Sequence, residues 1–398
     1  MRRYLTGILL VLQFVSSCAL AGPGEQAKRI YDRITGVPAD AEQLQAMANL
    51  IEQGQAIDSA YIAMNEPAFY DVTLKDLATP WTNEAQTRFA PLNDYSATFI
   101  GLVRDELDIR LLLSADIIYL GNSSALPPYS LSDNNHYEQL AESGQPLKDS
   151  LVQRRQSEVN GLPAEATSGV LTTRAAAKAF FIGGTNRAMF RFTLMNHLCT
   201  DLEPLKDTSL PPDRIRQDVS RSPGGDSRIF LNNCIACHNA MDPMTQAFAY
   251  YEYEYDSDAD PEGQNGQLTY NQAGTVDPET NSRVEPKNLI NATNFPHGFV
   301  TNDDRWDNYW RSGKNRALGW QENLPGYGNG AKSFGEELAN SEAFARCQVQ
   351  KVFQNICLRA PENEADKLQV TRMTESLKAS NFNLKQVFAE SAVYCMGD

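Results

Sequence analysis

The chain is poor in histidine and in positive charge. Its 398 residues hold 4 histidines, and 35 Lys+Arg stand against 50 Asp+Glu. No histidine pair has metalloprotease spacing, and no second Cys/His pair has the spacing of a zinc finger. The formal charge of −15 repels phosphate backbones and disfavours nucleic acid as a partner. It would steer in a basic protein partner, although an acidic surface is also what keeps an exported protein soluble. Beyond the first residues no apolar run is long enough to cross a membrane, so no transmembrane span is expected in the mature chain. Phosphate-cradling glycine loops, serine nucleophile elbows, internal repeats and low-complexity tracts are also missing.

The first residues read as an export signal. Arg2 and Arg3 precede an apolar stretch from Leu5 to Val15 that is too short to span a bilayer. Two endings overlap. Ala19-Leu20-Ala21 is a small-x-small cleavage site, which makes residues 1–21 a signal peptide. Val15-Ser16-Ser17-Cys18 resembles a lipobox, which would leave Cys18 as a lipid anchor. Either ending places the protein in the periplasm or at the outer membrane of a bacterium.

Helical patterns dominate the remainder. A helix around 26–34 ends before Gly36-Val37-Pro38. The pair Asp40/Gln43 caps a second helix carrying Leu44, Met47, Ala48 and Ile51. Ser96 is expected to cap a third. Residues 203–227 are rich in Pro, Gly, Ser and charge, and separate a helical N-terminal domain, 22–202, from a domain over 228–398. "AYYEYEYD" suits a short strand, and residues 256–335 form a loop-rich insertion. Ser333/Glu336 reads as a capping box, and the chain finishes in a bundle of three helices. The expected fold class is therefore mainly α.

The chemistry sits in "NNCIACHNAMDP", residues 232–243. Paired cysteines can form a disulfide, bind zinc or hold a covalent haem. Haem attachment needs two thiols spaced to reach both vinyl groups and a histidine that binds iron from the same side. Cys234, Cys237 and His238 supply all three. A redox disulfide would need a βαβ context and would not need His238. Structural zinc would need a fourth ligand. The expectation is one covalent haem c, held by Cys234 and Cys237, with His238 as the proximal metal ligand. His297, stiffened by Pro296, is the candidate for the opposite face, and His197, His136, Met373 and Met396 are its competitors. Asp256-Ser257-Asp258-Ala259-Asp260 imitates half a calcium loop, but Pro261 and Gln267 stand where such a loop needs Gly and Glu.

At this point the sequence resembles a family. "CIACHNAMDPM" is similar to the CxxCHxxxDP segment of the planctomycete-type cytochrome proteins, secreted bacterial proteins of several domains. Weaker likenesses run through "RIYDRITGVPADAEQL", "VRDELDIRLLLSADIIYLGN", "SGVLTTRAAAKAFFIGGTNRAMFRFTLMNHLC" and "FGEELANSEAFARCQVQKVFQNICLRAPENEAD". The resemblance implies thioether sites at Cys234 and Cys237, an iron ligand at His238, and a turn shaped by Asp242 and Pro243. Thr245 departs from the pattern, where glycine is common.

Four further cysteines, 199, 347, 357 and 395, suggest two disulfides in an exported chain. Cys347 and Cys357 lie on one expected helix, about 15 Å apart at 1.5 Å per residue, whereas a bridge needs Cα atoms within about 7 Å. An up-down-up bundle brings Cys395 beside Cys357 and leaves Cys347 for Cys199. The functional expectation is an exported single-haem cytochrome acting in one-electron transfer with a redox partner protein. Its alternatives are a haem peroxidase or oxidase with an open distal site, and a scaffold with a structural haem.

Overall fold

The computed structural model describes residues 21–217, 227–275, 281–289 and 296–397. The leader, Cys18 and part of the expected inter-domain segment lie outside the described residues. The chain is mainly α. Its strands form three two-stranded antiparallel pairs: β1 (Ile118–Gly121) with β2 (Leu151–Arg154), β3 (Tyr251–Glu254) with β4 (Gln267–Tyr270), and β5 (Arg305–Asp307) with β6 (Tyr327–Asn329). Among the described residues no helix is long and apolar enough to cross a membrane.

The helix ends follow local chemistry. Pro23 opens the helix Pro23–Thr35, and Gly36, left-handed at φ 71°, closes it. Asp40 and Gln43 form the expected reciprocal cap of Ala41–Glu52. The next cap differs from the sequence expectation. Asn93, not Ser96, caps Asp94–Arg104; its side chain accepts from the Ser96 N–H, and the Ser96 hydroxyl answers the Asn93 N–H. Ser333 is not a cap either. Its helix, Gly330–Ala339, begins where β6 ends, because Gly330 takes φ 71° directly after Asn329. The Ser333 hydroxyl instead accepts from the indole Nε1 of buried Trp306 at 2.9 Å and donates to the Asn329 carbonyl.

The three C-terminal helices, Glu342–Cys357, Glu364–Ala379 and Leu384–Tyr394, pack on one another. Val349, Val352, Phe353 and Ile356 are fully buried along the first, as their spacing predicts. The helices Pro23–Thr35 and Ala56–Ala63 pack against Leu384–Tyr394, so both ends of the described chain contribute to one apolar core. That core also draws on Met241, Met244 and Phe248, which lie just after the cysteine motif. Phe181 and Phe334 both contact Phe248 edge-to-face. Gly335 lets its helix approach the rest of the core, since a Cβ there would lie 1.9 Å from the Leu113 carbonyl oxygen.

Both disulfides join the pairs expected from helix geometry. Cys357–Cys395 ties the first C-terminal helix to the end of the third, with Cα atoms 5.6 Å apart. Cys199–Cys347 ties the turn after the helix Arg187–His197 to the same C-terminal helix, at 5.3 Å.

Candidate functional site

Two short helices present the motif. Ser227–Asn233 runs into a one-residue break at Cys234, and Ile235–Thr245 continues beyond it. Cys234 caps the second helix, and its carbonyl accepts from the N–H groups of Cys237 and His238, each at 3.2 Å. One helical turn therefore collects both thiols and the imidazole. Cys234 and Cys237 are half-buried and are free cysteines, not bridged to each other. Burial pushes the Cys237 thiol up, the reverse of the lowered value that activates a redox cysteine.

The next turn buries Asn239 to Thr245 and holds the motif against the core. The Asn239 amide donates to the Asp207 carbonyl at 2.6 Å, and the Asp207 N–H donates to the Ala236 carbonyl at 2.9 Å. Pro243 falls inside this helix, not in a turn beyond it. Thr245, where glycine was expected, is also helical, and its hydroxyl donates to the Asp242 carbonyl.

Asp242 has a task that the motif alone did not reveal. Its fully buried carboxylate accepts from His238 Nδ1 at 2.9 Å and Arg187 Nε at 2.9 Å, and from the Arg216 N–H at 3.2 Å. Burial opposes its ionisation. The charges of Arg187 and Arg216, with the hydrogen bond from His238, outweigh that and hold the carboxyl far below the usual range. An ionised carboxylate only accepts, so Nδ1 of His238 carries a proton in this bond, which leaves Nε2 as the ring nitrogen for a ligand; in the neutral ring that nitrogen bears the lone pair. This is the state in which an imidazole ligates iron, with a carboxylate behind it that fixes the ring and raises its basicity. The i, i+4 spacing of His238 and Asp242 was the sequence signal for this pair. Nothing local in the sequence signalled Arg187 or Arg216.

The thiol of Cys237 faces the Leu202 carbonyl, with Lys206 and Glu203 near it, whereas the surroundings of His238 and Cys234 include an apolar cluster. Phe230 lies edge-on to the His238 ring with centroids 4.8 Å apart, and packs with Ile215, Cys234 and Ile235 in a small cluster apart from the main core. Ile229 and Leu231, on the helix leading into the motif, are more than two-fifths exposed, as is Val300. Two free thiols, an imidazole nitrogen aimed away from its carboxylate and exposed apolar side chains suit a porphyrin bound through both vinyl groups.

The other candidate ligands separate clearly. His136 uses both ring nitrogens, Nδ1 with the Pro127 carbonyl and Nε2 with the Gly121 N–H. His197 is fully buried with Nε2 2.6 Å from Tyr95 Oη, between Trp81 and Phe344. Burial, with a smaller contribution from Lys351, pushes its pKa down to about 3. Met373 is a core residue, and Met396 packs against that core. His297 is exposed. Its segment is tied to the motif's supports: the Phe299 N–H donates to the Ile215 carbonyl at 2.6 Å, and the Gln217 N–H donates to the Phe299 carbonyl at 3.2 Å. Arg216, between them, gives its own N–H to Asp242.

Among the described residues no group of three His, Cys, Asp or Glu side chains is placed to hold a metal ion. In the acidic 256–260 loop, Asp256 accepts from the N–H groups of Asp258 and Ala259, which is an ordinary turn. No family model, curated protein or solved structure matches the chain.

Proposed function

We propose that this protein is an exported c-type cytochrome with one covalent haem, acting in one-electron transfer, and that it belongs with the planctomycete-type cytochromes its motif resembles. The observation that carries the reading is the His238–Asp242 pair set directly after two free thiols. Cys234 and Cys237 would form the thioethers and His238 would hold the iron; when bound, the group supplies a one-electron ferric/ferrous couple. The chain's own residues then tune that couple. Asp242 keeps His238 in the ligating tautomer and donates negative charge through it. Arg187 and the Arg216 N–H keep Asp242 ionised and oriented. Phe230, Ile215 and Ile235 shield the attachment turn from water.

His297 is our candidate for the other axial position. The four remaining methionine and histidine competitors named from the sequence are buried, bonded or packed on the core, whereas His297 is exposed on a segment tied to Ile215 and Gln217. Export to the periplasm or outer membrane, through either the signal cleavage or a lipid anchor at Cys18, fits two disulfides and the absence of a spanning helix among the described residues. The partner would be a redox protein, and the acidic net charge favours a basic one.

The deciding experiment is expression with haem-attachment machinery, followed by haem staining on a denaturing gel. One haem per chain is expected, lost in Cys234→Ala and Cys237→Ala. An unstained wild-type band would refute the proposal.

A further inference from the structure

A second cleft lies where the two halves of the chain are stapled, and its Asp201 precedes Leu202, whose carbonyl is 4.0 Å from the Cys237 sulfur. A cleft of about 460 Å³ opens between the turn Cys199–Asp201 and the helix Glu342–Cys357 with the Ala360–Pro361 segment that follows it. Lys351 lies on its wall. The Lys351 ammonium sits 4.9 Å from the centroid of the Trp81 ring. Among the described residues it makes no hydrogen bond and no ion pair, and burial pushes its pKa down to about 8.

The rest of the cleft does not neutralise it. Asp201 is the acid on the lining, and both its oxygens are taken by Arg191, at 2.8 and 2.6 Å. Gln86, Gln350 and Gln354 contribute neutral amides, and Met195 and Pro361 contribute apolar surface. At neutral pH the cleft therefore carries one ammonium without a counter-ion. Lys351 is half-buried, and partly withholding its charge from water without a paired anion is unfavourable, a penalty that a single indole face offsets only in part. Such a lysine is not a good structural choice, since a methionine of similar length would fill the same volume without the penalty.

We infer that the cleft binds a small monocarboxylate, its charge paired with Lys351 and its apolar part against Met195 and Pro361. The opening next to the Cys199–Cys347 bridge gives such a ligand access without unfolding either helix.

Calorimetric titration of the full-length protein at pH 7 tests this, with benzoate as the probe and benzamide as its neutral isostere. Benzoate should bind with a Kd on the order of 1 mM, and benzamide about tenfold more weakly or not at all. Lys351→Met should lose benzoate binding while keeping the wild-type circular dichroism spectrum, and Lys351→Arg should retain it. Equal affinity for benzoate and benzamide, undiminished binding by a folded Lys351→Met variant, or no benzoate binding up to about fiftyfold above that Kd would each overturn the inference.

Discussion

Asp242 is where the architecture around the motif can be tested most sharply. The substitution Asp242→Asn keeps the shape and removes the charge. One carboxylate oxygen accepts from both His238 and Arg187, and the other accepts from the Arg216 N–H. An asparagine must present its NH₂ to one of these sets. The smaller loss is to face the NH₂ towards the Arg216 N–H, which leaves two buried donors, that N–H and the NH₂ itself, facing each other at a combined cost of about 2–3 kcal/mol. Two guanidinium groups also lose their shared counter-charge, so a total of about 2–4 kcal/mol is reasonable, against about 3–5 kcal/mol for Asp242→Ala. Unfolding entropy of roughly 2.1 cal/mol/K per residue over 398 residues converts these into melting shifts of about 2–5 °C and 4–6 °C. The haem-loaded protein adds an independent readout. His238 bonded to a neutral amide donates less electron density to iron, so the potential should rise by tens of millivolts, about 60 mV for each tenfold change in the ferric preference. Equilibrium redox titration and thermal melts of the same preparation measure both. If Asp242→Asn leaves the potential where it was, the carboxylate does not tune the ligand and the role assigned to it fails.

Four other outcomes follow from the structure. His297→Ala should turn a low-spin absorption spectrum towards high spin; a wild-type protein that is already high-spin and binds carbon monoxide would favour the open-site enzyme reading instead. Breaking the bridges should cost about 5 kcal/mol for Cys199→Ser with Cys347→Ser and about 4 kcal/mol for the 357/395 pair, from loops closed over separations of 148 and 38 residues, as read in denaturant melts with the other bridge intact. Lys351 has its folded pKa lowered, so its penalty is complete below about 8 and vanishes near the ordinary 10.5; stability should rise by about 1–3 kcal/mol across that window in wild type relative to Lys351→Met, and parallel pH curves for the two proteins would contradict it. Gly335→Ala should destabilise by several kcal/mol because the added Cβ meets the Leu113 carbonyl; a melt unchanged from wild type would mean that the helix can move aside.

The readings that held were those set by repeat distance along one element. The stripe Val349–Val352–Phe353–Ile356 fixed the buried face of a helix. The same helix rise excluded a 347–357 bridge, and the up-down-up order of the last three helices then chose between the two connectivities left, giving the pairings that form. The Asp40/Gln43 cap and the tyrosine-rich strand are likewise local patterns with a single local solution. Caps failed where another residue took the position or claimed the side chain. Ser333 serves Trp306 across 27 residues, and Asn93 reached the cap position three residues before Ser96.

The candidate site divides along the same line. Cys234, Cys237 and His238 are one turn, so their chemistry can be read from the letters alone. The Asp242 carboxylate is one turn further, and its spacing from His238 is legible once a helix is assumed. The residues that make Asp242 work are not. Arg187 comes from a helix 55 residues upstream, and Arg216 from an extended segment 26 residues upstream, placed there because its neighbours Ile215 and Gln217 pair with Phe299. A buried carboxylate opposite an imidazole would, unaided, tend to take up a proton and cease to fix the tautomer. Two arginines remove that option at the cost of burying charge, an expense that core packing does not require. The triad of His238, Asp242 and Arg187 is therefore better explained by a demand on the His238 ligand nitrogen than by stability. Replacing Arg187 by Met, which leaves the Asp242 bonds to His238 and to the Arg216 N–H in place, should lower haem yield per chain more than it lowers the melt of the haem-free protein; a variant that loads haem equally well while melting several degrees lower would show that the cluster is structural.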